Sequence, residues 1–133
     1  METKKIDVQL SIEVNDEIMR AHLIFTNVIS EKLYLDTWAT FVDNKARKDY
    51  FVMTDENNAE VKYVGIMVKR IFKAEDFKEL KAGEKVSAYI DLEKDYRLEK
   101  GKRYLVKYST FHPSTLNGTG IMKLESNTVE VAY

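Results

Sequence analysis

The sequence predicts an all-β protein, a single antiparallel sandwich of about seven to nine short strands. Three observations carry this. Apolar residues recur at every second position in several stretches, so one face of each is buried and the other wet. Short polar segments rich in Asn, Asp and Gly separate these stretches, as turns require. The chain has one proline, no internal repeat and no low-complexity linker, so residues 1–133 read as one domain.

The elements follow in order. Ile6, Val8, Leu10, Ile12 and Val14 alternate with polar residues and predict a strand. Asn15-Asp16-Glu17 is a turn, and Met19, Ala21, Leu23 and Phe25 give a second strand. Residues 27–32 break the pattern, which Leu33-Tyr34-Leu35 resumes; Trp38 and Phe41 are expected to be buried nearby. Residues 43–49 read as a loop, and Tyr50 to Thr54 as a strand. Asp55-Glu56-Asn57-Asn58 reads as a turn, with Val61 to Val64 closing a hairpin. Ile66 to Phe72, apolar and basic by turns, reads as a strand or an extended edge. Ala74, Phe77 and Leu80 fall at helical spacing and predict a helical turn.

The clearest alternation lies in Val86–Leu92 and Arg103–Ser109, which read as a half-buried antiparallel pair. A polar loop is expected from Phe111 to Gly120, and a last strand from Thr128 to Tyr133. Gly101-Lys102-Arg103-Tyr104-Leu105-Val106 adds a finer expectation. Immunoglobulin-like sandwiches carry a tyrosine at the start of the penultimate strand, its hydroxyl tied back to the preceding corner. Tyr104 suits that role, and Val106 stands where antibody domains place a cysteine. Leu23 or Phe25 would face it, and Trp38 follows at about the distance of the core tryptophan. The fold expected is therefore an immunoglobulin-like sandwich without its disulfide.

Composition narrows the function classes. With 44% hydrophobic and 32% charged residues, the chain can fill a core and still cover its surface. A net charge of -1 gives no global attraction to nucleic acid or anionic membrane. The absence of cysteine excludes disulfides, thiolate zinc sites and cysteine nucleophiles. The start, METKKIDVQLSIEV, lacks the apolar core of a signal peptide. The expectation is a cytoplasmic protein if Met1 is the natural start, and a secreted or periplasmic one if a leader has been removed. No apolar run reaches membrane-spanning length, and no membrane insertion is expected.

The second half carries a resemblance. Tyr63-Val64-Gly65, Lys69-Arg70, Asp76-Phe77, Leu80, Gly83-Glu84, Val86, Asp91-Leu92, Tyr96, Gly101, Tyr104 and Tyr108 resemble the non-catalytic N-terminal β-sandwich of deuterolysin-like and peptidyl-Lys metallopeptidases. Thr26-Asn27, Trp38 and the strand from Phe51 to Asp55 extend the likeness, which covers about Leu10 to Tyr108. More loosely, the chain resembles the intracellular proteinase-inhibitor sandwiches of bacilli. The peptidase domain of the first family carries a HEXXH zinc helix, and this chain has only His22 and His112, far apart. The resemblance thus implies an accessory module without the enzyme, with a protein partner that includes a peptidase among its candidates.

Residue by residue, little chemistry converges. His22 lacks the further ligands a metal needs. His112, Ser114 and an aspartate could be assembled into a triad, but no nucleophile elbow is present. Acidic residues at Asp55-Glu56 and Glu93 to Asp95 read as turns, without calcium-loop spacing. Asn117-Gly118-Thr119 matches a glycosylation acceptor and also a common turn. Lys69-Arg70 and Lys73 read as lysine protection of an edge strand, against a small nucleic-acid patch. The candidate binding surface is the Phe111–Gly120 loop, with Phe111, His112, Pro113, Leu116 and Asn117 as contacts, since sandwich-end loops carry binding. The expected function is a non-catalytic protein-binding module, peptidase-associated or peptidase-inhibiting, with no cofactor, metal or nucleic acid. The alternatives are a small-ligand or carbohydrate sandwich using exposed tyrosines such as Tyr89, and a structural domain of a larger assembly.

Overall fold

The computed structural model describes residues 4–71, 73–113 and 120–133. They form nine strands: β1 (Ile6–Asn15), β2 (Ile18–Asn27), β3 (Leu33–Asp36), β4 (Phe51–Asp55), β5 (Phe77–Leu80), β6 (Lys85–Asp91), β7 (Arg103–Pro113), β8 (Ile121–Glu125) and β9 (Val129–Ala132). Among the described residues, helical structure is limited to single 3₁₀ turns at Val42–Asn44, Ala74–Asp76 and Leu92–Lys94. All strand pairs are antiparallel. One sheet runs β1-β2-β6 and the other β4-β7-β8, with β9 also beside β7; β3 and β5 form a separate ladder.

Alternation positions these strands. In β2 the even-phase residues Met19, Ala21, Leu23 and Phe25 are fully buried, and Arg20 and His22 face water. The β1–β2 register sets Leu10 opposite Leu23 and Val8 opposite Phe25, so both strands drive the same face inward. Opposite them, Met53, Val106 and Tyr108 line the inner face of the second sheet. Tyr108 stands at the centre, its ring meeting Phe25 at 5.4 Å and Phe41, Phe51 and Tyr50 at 5.9 to 6.2 Å. Its hydroxyl donates to the Ala39 carbonyl at 2.6 Å, which satisfies the one polar atom of a buried ring.

The corner between β6 and β7 is tied as expected: the Glu99 N–H donates to the Tyr104 hydroxyl at 2.8 Å. A second tie spans the sheets. β8 and β9 pair with different halves of β7, so they act as one edge strand interrupted at 126–128. In that interruption the Asn127 side chain accepts the Leu10 N–H at 2.8 Å and donates to the Leu10 carbonyl at 3.0 Å. An amide side chain thereby stands in for a backbone ladder rung between β1 and the opposite sheet.

Several expectations are corrected. β6 and β7 do not pair with each other; they lie in opposite sheets, and period two alone cannot say which neighbour a strand chooses. Trp38 is half-buried against two arginines, and Phe41 fills the core. Residues 61–64 form no strand: the expected hairpin is limited to a Thr54–Glu60 bridge and the Val61 N–H donating to the Met53 carbonyl at 2.9 Å, and Tyr63 bridges Tyr96 instead. Residues 66–71 form no strand. Residues 74–81 make a 3₁₀ turn and then β5, because pairing Phe77–Leu80 with Asp36–Leu33 satisfies the backbone that a lone helical turn would leave open. β7 continues to Pro113 where a loop was expected from Phe111, and β8 is an unexpected strand whose alternation is only five residues long.

Candidate functional site

One end of the sandwich is organised on Asp36, the last residue of β3. Its backbone N–H donates to His112 Nε2 at 2.8 Å. One carboxylate oxygen accepts the Trp38 N–H at 3.1 Å, and the other accepts Arg70 Nη1 at 2.6 Å. Arg70 Nη2 lies 3.4 Å from Asp76, and the guanidinium sits 4.0 Å from the Trp38 ring centroid. The Arg47 guanidinium also lies against that ring, at 5.3 Å. Both members of the Asp36–Arg70 pair are largely removed from water. Such a pair holds only when its geometry and extra hydrogen bonds offset the desolvation cost.

His112 belongs to this structural hub. It is 1% exposed. Because Nε2 accepts from Asp36, the proton resides on Nδ1, which donates to the Pro113 carbonyl at 2.6 Å. Burial pushes its pKa below the ordinary 6.5, so the ring is held neutral. Phe77 packs edge-on against it, 6.2 Å between ring centres.

Arg70 anchors a segment that sequence reasoning did not single out as a site. Ile66 to Ile71 run with no helix, strand, turn or bend. Ile66, Met67, Val68 and Ile71 are all exposed, Met67 at 74% and Ile71 at 84%. Four attachments fix the course of this ridge. Val64 N–H donates to the Asp95 carbonyl at 2.7 Å, and Val68 N–H to the Arg47 carbonyl at 2.9 Å. The Tyr63 hydroxyl donates to the Ile66 carbonyl. Burial, reinforced by the Asp95 and Asp49 carboxylates, pushes the Tyr63 pKa up to about 12, which keeps that donor protonated. Arg70 is the fourth attachment. The Ile66-Met67-Val68 run, where alternation fails beside lysines and no acids, was the available signal. Residues 61–73 hold Lys62, Lys69, Arg70 and Lys73 and no Asp or Glu.

The expected contact residues separate. Phe111 and His112 occupy opposite faces of β7: the Phe111 ring is 66% exposed, under Lys123 at 5.6 Å, and His112 is sealed inside. His112 is therefore corrected from a loop contact to a core residue. Pro113 ends β7 opposite Ile121. Leu116 and Asn117 lie outside the described residues. Among the described residues no three His, Asp or Glu side chains meet as a metal site. Asp55 instead accepts the N–H groups of Asn57 and Ala59 at 2.9 and 3.0 Å, the work of a turn. Those bonds hold its carboxyl below its usual range. Tyr89 faces water with the Arg20 guanidinium 5.1 Å from its ring centre, and no second aromatic follows it on β6.

No protein-family model and no curated protein matches this chain.

Proposed function

We propose that the protein is a non-catalytic protein-binding module whose partner rests on the ridge from Ile66 to Ile71. The observation that carries this is the exposure of four large aliphatic side chains on one segment that is pinned to the domain. Single exposed apolar residues are common on any surface; a concentration of them on one rigid segment marks an interaction surface. Rigidity matters because a segment already held in place loses little entropy on binding. The resemblance to peptidase-associated and peptidase-inhibiting sandwiches supports a peptidase as the partner class. Exposed Phe111 on β7, opposite Lys123, together with exposed Ile121, opposite Pro113, is the competing surface.

The test is a comparison of variants in a pull-down from source lysate and culture medium. The wild-type chain, a Met67→Asp/Ile71→Asp double variant and a Phe111→Asp variant are compared, with partners identified by mass spectrometry. The ridge variant is expected to lose the partner and the Phe111 variant to keep it. The reverse pattern would move the site to the β7–β8 end.

A further inference from the structure

We propose that Lys69 is the specificity residue of this ridge and enters the acidic pocket of a peptidase cleft that takes an extended chain. This rests on the reading of the ridge as the partner-binding surface. Lys69 is exposed and lies between two anchored neighbours. Before it, the Val68 N–H is bound to the Arg47 carbonyl at 2.9 Å. After it, the Arg70 side chain turns inward to Asp36 at 2.6 Å. The same two anchors hold the backbone of this stretch down, and Lys69 between them is exposed. Its neighbours Met67 and Ile71 offer aliphatic contacts on both sides.

The chemistry of the partner follows from these residues. An exposed lysine calls for a carboxylate at the bottom of a pocket, as in peptidases that cleave after lysine. With no Asp or Glu between residues 61 and 73, nothing on the segment repels that carboxylate's field or neutralises the lysine in advance. An unbent run of backbone fits clefts that bind substrate as an added strand. Hydrolysis there would add one water across the Lys69–Arg70 amide, giving a carboxylate on Lys69 and an amine on Arg70. The Val68 and Arg70 anchors would hold both new ends in place, which favours the reverse condensation and release of that water. The ridge therefore acts as a slowly turned-over substrate, an inhibitor by occupancy.

The test uses trypsin as the probe, with the intact protein titrated against a chromogenic lysyl anilide. Competitive inhibition is expected: KM rises with protein concentration and kcat is unchanged. Lys69→Ala is expected to weaken inhibition about 100-fold, the loss of an interface anchor, and Lys69→Arg to retain it. Any nick found by mass spectrometry is expected first after Lys69. Absent inhibition, inhibition insensitive to Lys69→Ala, or rapid cleavage without lasting inhibition each overturns the inference. If trypsin is untouched while the Met67→Asp/Ile71→Asp variant still loses its partner, the ridge reading stands and the lysine assignment falls.

Discussion

β2 and the ridge carry similar side chains and meet opposite fates. In β2, Met19, Ala21, Leu23 and Phe25 stand at alternate positions and all are buried. In the ridge, Ile66, Met67 and Val68 are consecutive, and with Ile71 they remain in water. A run without alternation cannot turn all its side chains to one face of a sheet. The ridge is attached to the fold by hydrogen bonds and one charge instead: Arg70, not an aliphatic residue, is the side chain it turns inward. The lesson is that hydrophobic content does not decide burial; the phase of the pattern and the attachment do.

The sharpest break of this comparison is truncation on each side of it. Phe25→Ala should cost about 3–5 kcal/mol, since it leaves a cavity beside Tyr108. Met67→Ala should stay within about 0.5 kcal/mol, because an exposed side chain has little to lose. Urea unfolding of both variants measures the contrast, and equal losses would mean that the ridge is packed in solution.

A second, smaller effect tests the anchor. Arg70→Ala leaves the Asp36 carboxylate buried without its guanidinium and should cost about 3 kcal/mol. Amide hydrogen exchange should then rise at Val68, whose N–H bond depends on the ridge keeping its course. Unchanged protection at Val68 would show that the backbone attachments suffice without the arginine.

The smallest effect is a pH dependence at the hub. His112 is held neutral, with a folded pKa lowered below 6.5 by burial first. Between that folded value and 6.5 the unfolded chain binds more protons, so stability is full above 6.5 and declines as pH falls through the window. The hydrogen bond to the Pro113 carbonyl and the Asp36 charge oppose the shift, and the Arg70 and Lys48 charges reinforce it. Carboxylates with ordinary or lowered pKa values protonate mainly below about pH 5, and Asp95, raised by burial, contributes a slope of opposite sign. Thermal unfolding from pH 7.5 to 5 should fall for the wild type and for His22→Gln, and flatten for His112→Gln. A slope that survives in His112→Gln assigns the effect to another group.

Much of the fold was legible because the inward positions of β1, β2, β6 and the first part of β7 follow period two, with Ile18, Ile24, Tyr89 and Leu105 as the apolar residues on the outward phase. The Tyr104 tie was legible because a glycine and a tyrosine at a strand start carry a local geometric requirement. The site was less so. Phe111, His112 and Pro113 read as a loop because a histidine and a proline look like turn residues. Pairing with β8 makes them a strand and sends His112 inward. The ridge read as an edge strand because apolar and basic residues mix there. Among the described residues no strand pairs with its backbone, so it joins no ladder.

Which residues alternate, hence which side chains can share a face, and where the turns interrupt them can be read along the chain. Those are local properties, set by the two-residue repeat of an extended chain. Packing alone settled which strands became neighbours, that Asn127 would bridge the two sheets, and that Asp36 would gather His112 and Arg70 from 76 and 34 residues away. Such meetings depend on the packing of distant segments around one core, and no short window of sequence contains both partners.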